Sequence, residues 1–133
     1  MINVESYAAA IGRLLLIALF FVSGIGKLGA PAATKAYIVA KGLPFPELAF
    51  WISILVELGG GALFLIGYQT RIVALGLAIY SIATALVFHH HLAEQNEMLH
   101  FLKDLAIAGG FLQVAAFGGG ALSLDARRAG QGS

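Results

Sequence analysis

Glu57 is the residue best placed to do chemistry. It lies inside Leu48-Ala-Phe-Trp-Ile-Ser-Ile-Leu-Val-Glu57-Leu-Gly-Gly-Gly-Ala-Leu-Phe-Leu-Ile66, a stretch otherwise free of charge. A carboxylate there costs roughly 2.5 kcal/mol or more to insert into a bilayer. A cation, a proton or a water-filled cavity has to offset that cost. Arg13, Lys27 and Lys103 are the cations within reach of other apolar stretches. Two chemistries fit: a proton acceptor or hydrogen-bonding anchor for a ligand such as a quinone, or a buried ion pair that pins helix register.

The remaining polar residues fall on stripes. Positions separated by multiples of about 3.5 residues return to the same side of a helix. Arg13, Phe20, Ser23 and Lys27 share such a face, as do Ser53, Glu57 and Gly61. Tyr80, Thr84, Phe88 and His91 form a third, and Lys103, Gly110 and Gln113 a fourth. In a bilayer such stripes turn inward, and small residues let helices approach closely. The candidate seam is therefore Glu57, Arg13, Lys27, Lys103, Asp104, Tyr80 and Gln113. Asp104 also has a plainer role, since an acid in a first helical turn complements the helix dipole.

Phe88-His89-His90-His91 and His100 raise metal or haem binding. Successive helical residues point about 100° apart, so three consecutive imidazoles cannot meet one ion. His89 or His91 with His100 is the arrangement that remains. The two Glu-x-x-His motifs of a di-iron bundle are not present, since Glu97 to His100 is the single such spacing, and interfacial histidines commonly hold nothing, so this reading is disfavoured. The glycine clusters read as packing and termination signals, since no Gly-x-x-x-x-Gly-Lys and no post-strand Gly-rich turn exists here.

The elements that must position these groups follow from composition. The 133 residues are 59% hydrophobic and 11% charged, against about 25% charge in a soluble domain. The chain is a membrane protein on that ground, with the lipid bilayer as its first partner. A net charge of +1 argues against a nucleic-acid binder. The absence of cysteine excludes disulfide exchange, iron–sulfur ligation and covalent haem attachment through thioethers. A redox role would need a bound cofactor, a quinone or a partner protein.

Four stretches are long enough to cross a bilayer. They run over about residues 6–28, 46–67, 72–90 and 102–120 of the single domain 1–133. The fold expected is an all-α membrane protein, one four-helix bundle. Pro31 opens and Gly42 closes a short interfacial helix between spans one and two. Gly67-Tyr-Gln-Thr-Arg71 is a tight hairpin, residues 89–100 a polar connection with helical character, and the tail after Asp125 a frayed end. Tyr37, Trp51 and Tyr68 suit the membrane interface. Cleavage of the first span as a signal peptide is disfavoured, because no Lys or Arg precedes Arg13 and Pro31 sits beside the only small-residue site. Positive charge is nearly balanced across the bilayer. The tight Arg71 loop and the Arg127-Arg128 pair place the termini in the cytoplasm.

In order and spacing the chain resembles the DoxX family of small bacterial inner-membrane proteins. The resemblance rests on Arg13-Leu-Leu, Ser23-Gly-Ile-Gly-Lys27, Tyr37, Gly42-Leu-Pro44-Phe-Pro46 and Glu57-Leu-Gly-Gly60. It continues through Gly67-Tyr-Gln-Thr-Arg71, Phe88-His89, Phe101-Leu-Lys103-Asp104, Gly109-Gly110 and Ser123-Leu-Asp125. Asp104 departs from it, since the family often has Asn there. The resemblance implies an inner-membrane protein of oxidoreductase association. The family takes its name from a subunit of an archaeal thiosulfate:quinone oxidoreductase.

Three functions follow as expectations. The first is a redox-associated protein that binds a quinone or serves a redox protein partner. The second is a non-catalytic adaptor, and the third a small-molecule or proton transporter. A homo-oligomer suits the last, because four spans without an inverted repeat make a poor carrier.

Overall fold

The computed structural model describes residues 3–88 and 95–132. Helix α1, Val4–Gly29, starts where Asn3 Oδ1 accepts from the Ser6 N–H at 3.0 Å, a side-chain cap on an orphan donor. Helix α2, Pro31–Ala40, begins at its proline and is followed by Gly42 in the left-handed region. This is the short helix expected between the first two spans.

The second span, Pro46–Ile66, is one 21-residue apolar helix with a defect in its middle. It comprises α3 (Pro46–Ile54), a π-helical segment (Leu55–Gly60) and α4 (Gly61–Ile66). Pro46 again opens the element, preceded by Phe45 at φ +53°. The π turn, with hydrogen bonds one residue longer than in an α-helix, carries Glu57. Nothing in the apolar pattern marks it.

Gly67 ends α4 at φ +78°. A Cβ there would lie 2.4 Å from Ser123 Cβ and 2.8 Å from Arg13 Nη1, so both conformation and space demand glycine. Helix α5, Thr70–Phe88, returns through the bilayer and packs along nearly the whole of α6, Gln95–Phe117. Of α6, Met98–Phe117 is apolar enough to span. The helix thus begins several residues before the expected 102, because helical hydrogen bonding continues through Gln95-Asn-Glu regardless of polarity. It stops at Phe117 rather than 120, where Gly118 and Gly120 take positive φ.

The tail is not frayed as expected: α7 covers Leu124–Gly132. Its start is fixed by the N–H of Asp125 donating to Gly67 O at 2.9 Å.

All described elements are helical, and four of them are long and apolar enough to cross a membrane. The core is Ile17, Phe20, Phe64, Ala74, Leu77, Ala78, Ala108 and Phe111. Phe111 sits edge-on to Phe64 at 5.1 Å and tilted against Phe20 at 5.5 Å. A smaller cluster, Ile38, Phe50 and Ile54, joins α2 to α3. Large apolar side chains such as Leu15, Val22, Leu55, Ile72, Ile79 and Leu86 remain exposed on the outer faces, where acyl chains would cover them.

Candidate functional site

Glu57 is 3% exposed and receives two donors on one oxygen. The Lys27 ammonium donates to Oε2, forming a salt bridge. The Tyr80 hydroxyl donates to the same Oε2 at 2.5 Å. Oε1 is buried without a hydrogen-bond partner among the described residues.

Local geometry explains the meeting. Helical side chains lean toward the helix N-terminus, so Lys27, in the last turn of α1, reaches back into the bundle rather than out to water. One turn earlier, Gly24 lets α1 close on the π segment; a Cβ there would stand 2.7 Å from Leu58 Cγ. Tyr80 approaches from α5, its ring held edge-on by Phe20 at 6.0 Å.

This triad sits in the wall of a pocket of about 600 Å³, a size typical of small-molecule sites. Phe20, Ser23 and Lys27 line it from α1, Ser53 and Glu57 from the second span, and Tyr80 and Thr84 from α5. Helix α2 contributes Thr34, Tyr37 and Ile38. His100, Lys103 and Asp104 complete it from α6. Tyr37 of α2 stacks on Phe88 of α5, 5.5 Å apart and 11° from parallel. Lys35 pairs with Glu47 at 2.8 Å, tying α2 to α3. The walls are therefore mostly apolar, with charge gathered around one buried carboxylate. The arrangement can hold a small apolar molecule by its polar end and exchange hydrogen bonds with it.

The structure brings together Glu57, Lys27, Tyr80, Lys103 and Asp104 around this pocket, but not the other two seam residues. Lys103 is largely exposed on the pocket rim and, among the described residues, forms no ion pair with Glu57. Arg13 is no partner of Glu57. It is 3% exposed at the opposite end of the bundle. Its Nη1 donates to Phe64 O at 3.2 Å and Leu65 O at 2.8 Å, and its Nη2 donates to Leu122 O. Phe64 O also accepts from the Gly67 N–H at 3.2 Å, and a cation suits that end of a helix.

Gln113 is exposed on the outer face of α6, whereas Gly110 lies under Leu16. Ten residues on from Lys103, Gln113 is rotated about 80° away, too far to share its face. His89 and His91 lie outside the described residues, and His100 lines the pocket.

Sequence reasoning missed Thr34 altogether and assigned Tyr37 to the interface alone. Their signal was the placement of α2, held by its two flanking breaks. It also missed Asp125, which accepts from the backbone N–H of Gln69 at 2.7 Å, and from the N–H and hydroxyl of Thr70 at 2.6 Å each. Burial pushes the Asp125 carboxyl up, but these hydrogen bonds and nearby Arg128 outweigh it and hold it below its usual range.

Comparison with known proteins agrees with this architecture. No solved structure matches the chain. Inner membrane protein YqjF of Escherichia coli (strain K12) is 40% identical over 123 residues, covering 92% of this chain and 93% of that protein. Inner membrane protein YphA of the same organism is 34% identical over 122 residues, covering 88% and 87% respectively. The DoxX family model matches residues 8–90, a stretch that holds Lys27, Glu57 and Tyr80. This match over more than half its length, with near full-length likeness to two inner-membrane proteins, makes the chain a member of the DoxX family.

Proposed function

We propose that this inner-membrane protein binds a small lipophilic molecule of the quinone class in the pocket around Glu57, and acts there as a redox-associated subunit or partner. The observation that carries the reading is that Glu57, whose buried Oε1 has no partner among the described residues, lines a mostly apolar pocket of about 600 Å³. A purely structural ion pair has no need of an adjoining cavity, and burying a polar atom without a partner is costly. A ring with oxygen substituents supplies both apolar area for Phe20, Ile38 and Phe88 and polar atoms for the carboxylate and lysines.

The test is equilibrium binding of a decyl-substituted benzoquinone and its benzoquinol to the purified protein in nanodiscs. Saturable binding is expected, lost in Ser53→Phe, which puts a large side chain into the pocket. Absence of saturable binding by either compound removes the proposal. Binding unchanged in Ser53→Phe places the ligand elsewhere and removes it equally.

A further inference from the structure

We infer that the pocket recognises the reduced, hydroxyl-bearing form of its ligand in preference to the oxidised, carbonyl form. The inference rests on the reading of the pocket above and goes one step further, to the redox state selected.

Its basis is the asymmetric use of the Glu57 carboxylate. A carboxylate paired with an ammonium can only accept hydrogen bonds, at two oxygens with about two lone pairs each. Oε2 takes both the Lys27 ammonium and the Tyr80 hydroxyl, while Oε1 takes none among the described residues. Glu57 is 3% exposed, so water competes poorly for that oxygen. What Oε1 lacks is a donor.

A quinone carbonyl is an acceptor alone. Beside Glu57 it sets lone pair against lone pair, in a site where low dielectric strengthens the repulsion. A quinol hydroxyl both donates and accepts. It can donate to Oε1 and accept from one of the remaining N–H groups of Lys27, which is 23% exposed at its side chain. The rim adds Lys103 as a further donor, whereas the hydroxyls of Thr34, Ser53 and Thr84 already donate to the carbonyls of Ala30, Phe50 and Ser81. Lys103 serves the distal oxygen in either redox state and does not discriminate. Discrimination falls on the buried end, where a site built for a hydroxyl rejects the analogue lacking it because its own polar atom is left unpaired.

Three probes of one shape test this: decyl-benzoquinol, decyl-benzoquinone and the dimethyl ether of the quinol, titrated anaerobically into the wild-type protein in nanodiscs. The quinol is expected to bind about tenfold tighter or more, the strength of one hydrogen bond to a charged group. The ether, which keeps size and tail but has no donor, is expected to bind as weakly as the quinone. Quinone or ether binding as tightly as the quinol overturns the inference and leaves the pocket reading standing. No saturable binding by any probe overturns both. In Glu57→Gln the amide offers a donor as well as an acceptor, so the preference should fall to within about threefold. In Tyr80→Phe, which removes a donor from Oε2 and leaves Oε1 as it is, the preference should persist. Loss of the preference in Tyr80→Phe together with its retention in Glu57→Gln also overturns the assignment.

Discussion

Removing the Lys27 ammonium should destabilise the bundle far more than removing the whole ion pair. In Lys27→Met the Glu57 carboxylate stays 3% exposed with the Tyr80 hydroxyl as its remaining donor. Breaking a buried pair from one side costs about 3–5 kcal/mol, roughly two to four decades in the unfolding constant. Glu57→Gln should cost less, about 1–3 kcal/mol. The amide can still accept from Tyr80, and a stranded Lys27, already 23% exposed, can extend toward the interface. In Lys27→Met/Glu57→Leu no charge remains to be solvated, and such apolar replacements are often neutral. The double variant should therefore be more stable than Lys27→Met, a reversal that additive effects cannot produce when Glu57→Leu alone is destabilising. Unfolding in mixed micelles by increasing SDS fraction, followed by circular dichroism, supplies the free energies. The reasoning fails if Lys27→Met lies within about 0.5 kcal/mol of wild type, or if the double variant is at least as unstable as that single one.

The same assay reads three further sites at the other end of the bundle. Arg13→Lys should lose about 1–3 kcal/mol, because an ammonium on a flexible stem cannot serve the carbonyls of Phe64, Leu65 and Leu122 as the planar guanidinium does; a change below ~0.5 kcal/mol would count against that role. Gly67→Ala should cost more than about 2 kcal/mol, combining left-handed backbone strain with the approach to Ser123; Gly76→Ala, at a position with open space, is the control and should not destabilise. Asp125→Ala removes the acceptor at the start of α5, and at neutral pH should cost about 1 kcal/mol, kept small by its solvent-facing position. Because the folded carboxyl titrates below its usual value, its contribution is present above the unfolded pKa and is lost as pH falls through the lower folded one. The gap between wild type and Asp125→Ala should therefore close in acid, and a gap independent of pH would contradict the hydrogen-bond geometry.

The chain's four spans, its short helix between breaks at Pro31 and Gly42, and the anomaly of Glu57 were legible in the residues themselves. Span length and hydropathy are set by bilayer thickness, a one-dimensional constraint that a sequence meets locally. The Glu57 cost is likewise local: a carboxylate amid apolar residues needs a partner wherever the helices lie. Tyr80 was placed on an inward stripe by the same periodicity, and Gln113 was misplaced by it, because ten residues of drift carried it off the face it was assigned to.

Only the tertiary structure decided which cation answers Glu57. Arg13, Lys27 and Lys103 were equivalent as charges along the chain, yet they differ in the helix end they face. Lys27 leans back from a helix terminus into the bundle, Lys103 stands at the rim, and Arg13 is taken by the carbonyls that end α4. The π turn under Glu57 and the latch of Asp125 onto α5 depend on contacts between residues far apart in the chain. So does the lack of a partner for Glu57 Oε1 among the described residues. Periodicity reports which side of a helix a residue occupies. Which neighbour it meets there depends on how the helices are rotated and staggered against one another, and that is settled by packing.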